Sequence, residues 1–297
     1  MFLVTVVLGI VTTICTQPVE TFRSAYKEEF PFMGYMNRSN IQTCALVIIS
    51  TRKFVTAAHC LMSWDWDNIQ VFLDLSRVEA CAGSRKLRSG YCRNILEYKV
   101  SKNYARGSRS HIYLADIGVG HLEEPFELSK TIMPVTIVSP DPVVFKKSWD
   151  DIVNTGTTCI TMGWSVVTVT SEYEHSFYVE DYIHLSNVQP WNDTKCRAAD
   201  RDRENMVSFG GICISCDRTE LTRVSEEGSA LYCNGKWYAV MSDVGLMNER
   251  RPGRLVLLAD FIKELNISHG TSVKPTKVLV FVPPILLYVY VIKCILG

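Results

Sequence analysis

The sequence predicts an all-β domain, a sandwich or a barrel rather than a βαβ fold, and three observations carry that reading. Its apolar or alternating runs are short and rich in Val, Ile and aromatic residues; polar loops separate them; and one segment alone has a clear helical period. In chain order the runs are CALVIIS from Cys44, KFVTAAHC from Lys53, IQVFLDL from Ile69 and IYLADIGVGHL from Ile112. After them come CITMGW from Cys159, YIHLSNV from Tyr182, LYCNGKWYAVMSD from Leu231 and RLVLLADF from Arg254. The helical period is Leu258, Phe261, Ile262 and Leu265, an i, i+3, i+4, i+7 face that predicts a C-terminal helix. Pro140, Pro142 and Gly156 mark the stretch 139–157 as a connection between two halves. No repeat of fixed period and no low-complexity tract is present.

The two ends read differently from the middle. Residues 1–16, MFLVTVVLGIVTTICT, have the apolar length and the small residues of a secretory signal, although no basic residue precedes them. A buried first strand is the plainer alternative. Residues 277–297 carry a single internal charge, Lys293, over a length sufficient to cross a bilayer. Two membrane forms stay open: a tail exchanged for a glycosylphosphatidylinositol anchor near Ser268 to Ser272, which is favoured, or a retained helix interrupted by Pro283 and Pro284. An apolar segment docked on the fold is the bland alternative. A stalk, 266–276, would join this tail to a domain spanning 17–265.

With 31 basic and 31 acidic residues and no long run of one sign, the chain has no nucleic-acid footprint. Asn37, Asn192 and Asn266 open glycosylation sequons, which together with the signal segment point to the secreted pathway and an extracellular or cell-surface protein. Setting aside Cys15 and Cys294 leaves nine of the eleven cysteines, an odd number, so an oxidising compartment would bridge most and leave one over. Cys213 and Cys216 have CxxC spacing, but no second CxxC and no HxxxH accompany them, so no metal is expected. No cofactor is expected either. Spacing alone leaves the cysteine connectivity open.

At VTAAHC the chain resembles the trypsin and chymotrypsin family of serine proteases, and further landmarks follow in that family's order from about Val19 to Leu265. The resemblance implies two six-stranded antiparallel β-barrels with a C-terminal helix, the barrels dividing near 139–157. It implies His59 as the triad histidine, Asp116 as its carboxylate partner in the apolar run YLADIGVGHL, and disulfides Cys44 with Cys60, Cys159 with Cys233 and Cys196 with Cys213. The local pair Cys81 and Cys92 would then staple an inserted loop, leaving Cys216 odd, unless Cys216 replaces Cys213 as the partner of Cys196. A lone histidine is more often structural than catalytic; the TAAHC context reverses that here. A buried Asp116 would need a partner, and His59 is the natural one.

SEEGSALYC falls where the family has Gly-Asp-Ser-Gly-Gly-Pro. Counting back from Cys233 puts Glu227 on the nucleophile, Glu226 on the family's buried aspartate, and Ser225 on an oxyanion-hole glycine. A carboxylate is a poor acyl-transfer nucleophile and would hold His59 charged. Ser229, the alternative nucleophile, would need a two-residue slip, about 6 to 7 Å along a strand. Pro18 stands where activation cleavage needs a basic residue. Leu221 and Thr222 fall at the floor of the specificity pocket and offer no charge, and Arg223 replaces the cysteine beside the nucleophile. These departures imply an inactive homologue that binds an extracellular protein, such as a protease, an inhibitor or a receptor, and meets the membrane through its tail. An active serine endopeptidase using Ser229 is the alternative. A metal held by His59, Asp116 and Glu227 has suitable ligand types but is weaker than chance proximity.

Overall fold

The structure, a computed structural model, describes residues 22–38, 41–64, 70–106, 113–164, 166–170, 175–179, 182–199, 204–215, 226–244 and 252–267. The signal segment, the stalk past Ile267, the apolar tail, Cys216, Leu221, Thr222 and Ser225 lie outside them.

Six strands close the first barrel: β1 (Met33–Arg38), β2 (Ile41–Ser50), β3 (Lys53–Thr56), β4 (Val78–Ala82), β5 (Tyr91–Val100) and β6 (Gly118–Leu122). They pair in the order β6, β3, β2, β1, β4, β5, with β5 returning to β6. The second barrel uses β7 (Cys159–Gly163), β8 (His184–Pro190), β9 (Gly211–Ser215), β10 (Ala230–Cys233), β11 (Lys236–Asp243) and β12 (Gly253–Leu257). Their order is β8, β7, β10, β11, β12, β9, closed by the pairing of β8 with β9. All of these pairings are antiparallel, and position for position they are the same in both barrels. The expected pair of six-stranded antiparallel barrels is therefore present. Closure leaves neither barrel with a free sheet edge among the described residues. A three-residue strand, Phe22–Ser24, adds to β8 from outside.

One continuous apolar cluster runs through both barrels and across their junction. Phe32 and Tyr232 meet at 5.3 Å between ring centroids, and Tyr35 packs edge-on against Trp164, also at 5.3 Å. Backbone bonds tie the halves as well, from Ala45 N–H to Glu227 O at 2.8 Å and from Trp237 N–H to Thr136 O at 3.1 Å. The three disulfides implied by the resemblance, Cys44–Cys60, Cys159–Cys233 and Cys196–Cys213, are formed, and so is the local pair Cys81–Cys92.

Two helical segments differ from expectation. The connection 139–157 holds a helix that its prolines obscured. Four-residue α1 (Ala58–Leu61) precedes it in the chain, and the connection itself forms α2 (Pro142–Asn154), 13 residues long. Asp141 caps α2, its side chain accepting from Val143 N–H at 2.8 Å, and Pro142 sits at the first turn where no donor is lost. Phe145, Trp149 and Ile152 form its buried face. The expected C-terminal helix starts as a 3-10 helix at Leu258–Asp260 and continues through turns, with Ile262 N–H bonding Leu258 O and Leu265 N–H bonding Phe261 O. All four of its predicted apolar residues are buried.

The Cys159–Cys233 bridge closes a sequence separation of 74 and joins neighbouring strands of the second barrel. Replacing both cysteines by alanine is expected to cost about 4 kcal/mol in the chain-entropy account. The measurement is the midpoint of urea unfolding, and an unchanged midpoint would contradict it.

Candidate functional site

His59 lies on α1, whose Ala58, Cys60 and Leu61 are buried and whose Cys60 is bonded to Cys44. The helix is thus pinned from both sides of the histidine. Asp116 was expected within an apolar strand. It stands instead between a short strand, Tyr113–Leu114, and β6. The turn depends on Ala115, whose φ of 49° lies in the left-handed region, and on a bond from Ile117 N–H to Ala115 O at 2.8 Å. That strained residue aims the Asp116 carboxylate inward.

Asp116 has no exposed surface. Its Oδ1 accepts from His59 backbone N–H at 2.9 Å, and its Oδ2 accepts from His59 Nδ1 at 2.7 Å and from the Ser242 hydroxyl at 2.5 Å. The other imidazole nitrogen, Nε2, lies 3.1 Å from Glu227 Oε2. Tyr113 stacks on the ring at 4.9 Å and 10° from parallel. Burial works against charge on His59. The charge and hydrogen bond of Asp116, then those of Glu227, outweigh burial and push the imidazole up to about 10. A carboxylate on each side of the ring thus favours the imidazolium, the form that can donate from both nitrogens.

The segment carrying Glu227 is held by backbone bonds to both barrels. Glu227 O accepts from Ala45 N–H, Gly228 N–H donates to Met241 O at 2.7 Å, Ser229 N–H donates to Glu226 O, and Ser229 O accepts from Met241 N–H at 2.8 Å. Gly228 has φ 86°, and a Cβ there would come within 2.1 Å of Ala45 O and 2.3 Å of Thr56 Oγ1. Only glycine allows this approach, and the approach sets Glu227 against His59. The Glu227 side chain remains 45% exposed, whereas Ser229 is fully buried. Glu226 is half-buried, its Oε2 3.4 Å from Trp164 N–H.

Thus the structure brings His59, Asp116 and Glu227 together, and the pocket positions Leu221 and Thr222 fall outside the described residues. Sequence reasoning missed Ser242 and Tyr113. Ser242 lies in the second barrel among buried apolar residues, with no motif to mark it; Tyr113 opens the same run as Asp116 and was legible only as an aromatic strand residue. Among the described residues, two clusters have the proximity for a metal, Cys44, His59 and Cys60, and Glu79, Cys81 and Cys92. In each the cysteines are locked in disulfides and offer no thiolate. Of the sequon asparagines, Asn192 and Asn266 are exposed, while Asn37 is half-buried and donates from Nδ2 to Glu79 at 3.1 Å.

The family model described as Trypsin matches residues 20–261. A snake venom serine protease of Bothrops insularis is 24% identical over 239 residues, covering 79% of this chain and 80% of the relative. The thrombin-like enzyme leucurobin of Bothrops leucurus is 26% identical, covering 72% and 79% respectively. Among solved structures, neuropsin, a serine protease expressed in the limbic system of mouse brain, superposes with a TM-score of 0.63 at 19% identity, over 82% of this chain and 97% of that one.

The folded His59 value lies above the ordinary 6.5, so its ion pairs stabilise the fold fully below about pH 6.5, and that contribution is lost as pH rises through about 10. Imidazole NMR is expected to show His59 protonated at pH 8. Glu227→Gln should lower the titration midpoint, and Asp116→Asn should lower it further. A neutral ring at pH 8 in the unaltered chain would contradict the geometry.

Proposed function

The chain belongs to the trypsin family, and from that premise we propose that it is a non-catalytic member which works by binding an extracellular protein. The observation that carries this reading is the contact between His59 Nε2 and Glu227 Oε2 at 3.1 Å. In a serine protease that nitrogen takes the proton of the nucleophilic hydroxyl. Here it faces a carboxylate, a poor acyl-transfer nucleophile that would form an anhydride rather than an ester. The same carboxylate helps keep the imidazole protonated, so the base is occupied as well. Ser229, two residues on, is fully buried, out of reach of a peptide substrate.

At the start of the domain, Pro18 precedes Val19, the position of the family's activated terminus, so no basic site exists there for an activating protease. The barrels, disulfides and buried Asp116 cluster nonetheless keep the cleft rigid, which suits recognition without turnover. Its partner is an extracellular protein such as a protease, an inhibitor or a receptor. The proposal places the chain in the secretory pathway, glycosylated at exposed Asn192 and Asn266, and tethered at the cell surface by the 277–297 tail.

A fluorophosphonate probe is expected to leave the purified full chain unlabelled. Glu227→Ser, which puts a hydroxyl beside His59, is expected to gain slow labelling at that position. Labelling of Ser229 in the unaltered chain would overturn the proposal. For the tether, treatment of expressing cells with phosphatidylinositol-specific phospholipase C is expected to release the protein into the medium, and retention would assign a membrane span instead.

A further inference from the structure

Between β7 and β8 the chain forms a β-hairpin that belongs to neither barrel. Its strands, Val166–Thr170 and His175–Val179, pair antiparallel, from Val166 opposite Val179 to Thr170 opposite His175. Among the described residues this sheet has these two strands alone, so the outer edge of each carries backbone donors and acceptors that no described strand takes up. A two-stranded sheet is marginal in water, and further strands are what make it stable. The barrels cannot supply one, because each barrel strand already has barrel neighbours on both sides.

The added strand must therefore come from another molecule, and composition selects the edge that accepts it. The first strand, VVTVT, is five β-branched residues without a charge or a proline, and Ser165 and Ser171 flank it. Natural sheet edges are guarded against pairing by lysine, other charges or proline, and this one has no such guard. It is also a match for itself. A two-fold axis through Thr168 sets Val166 opposite Thr170, Val167 opposite Val169 and Ser165 opposite Ser171 across two chains, so no like charges meet. The second strand is a poorer match. Glu174 and Glu180 flank it in the sequence, and the corresponding axis through Phe177 would set them against each other twice.

The cysteine count is an independent observation that points to a second copy. Four disulfides take eight of the nine cysteines between residues 17 and 265 and leave Cys216. An odd cysteine in a chain of the secreted pathway is expected where two chains meet.

We propose that the Val166–Thr170 edge pairs with the same edge of a second copy of this chain, joining two hairpins into one four-stranded antiparallel sheet. None of these residues belongs to the His59 site, so this proposal and the preceding one can fail separately.

The test is sedimentation velocity of the full chain in detergent micelles, carrying Cys216→Ser so that no covalent link contributes. A dimer is expected at micromolar concentrations. Val167→Lys with Val169→Lys sets lysines against lysines across the axis and should weaken dimerisation at least about tenfold. Ser176→Lys with Tyr178→Lys adds the same charge to the other strand and should change it by less than about twofold. Mixing the first lysine variant with Val167→Glu, Val169→Glu should restore a dimer, a rescue that a misfolded variant would not show. Thermal melts should be the same for all variants at dilutions where the chain is monomeric. A monomer in the Cys216→Ser chain would overturn the proposal. So would a dimer that the first-strand lysines leave intact, which would assign it to the apolar tail or another surface, or a failure of the mixed variants to pair.

Discussion

Burying the Asp116 carboxylate without exposed surface demands donors, since an unpaired charge in a protein interior costs several kcal/mol. The fold supplies three of them: the His59 backbone N–H, the His59 ring and the Ser242 hydroxyl. The first two belong to α1 in the first barrel, and the third to β11 in the second. The charge is satisfied only when the two barrels are docked, so the halves are coupled by this cluster as much as by the aromatic packing between Phe32 and Tyr232. The left-handed Ala115 is the local strain that this arrangement tolerates.

Once Asp116 fixes one face of the imidazole, the chemistry of the other face depends on what the 226–229 segment presents. Backbone bonds from Ala45 and Met241, and the close approach permitted by Gly228, leave that segment little freedom. Glu227 completes a row of alternating charge, carboxylate, imidazolium, carboxylate, with Tyr113 stacked along its side. Such a row is held by mutual attraction rather than poised to exchange a proton, and the site's rigidity and its proposed lack of turnover share one cause.

Much of this was legible from residue order. The short Val- and Ile-rich runs marked the strands, and VTAAHC, read together with the cysteines, marked His59 and the bridges. The count back from Cys233 marked Glu227. Helix α2 was not read, although Asp141 and Pro142 form an N-terminal signal and Phe145, Trp149 and Ile152 repeat at helical spacing. Its prolines read as a linker sign and mask the period. The C-terminal apolar face predicted a helix and its four residues are buried, while its backbone starts as a tighter 3-10 turn, because a face of four residues constrains which side chains pack and not which ring the hydrogen bonds close.

By itself the sequence determined which residue types stand at each position of the site and that the strands would be short and paired around apolar faces, because periodicity and covalent bridges act along the chain. The tertiary structure alone decided that both barrels share one strand order without any repeat in sequence, since pairing depends on backbone geometry that many side chains satisfy. It alone placed Ser242 on Asp116 across 126 residues of chain and turned Asp116 inward from a strained turn. Contacts of that kind come from barrel closure and docking, which bring distant segments into register only when the whole fold has formed.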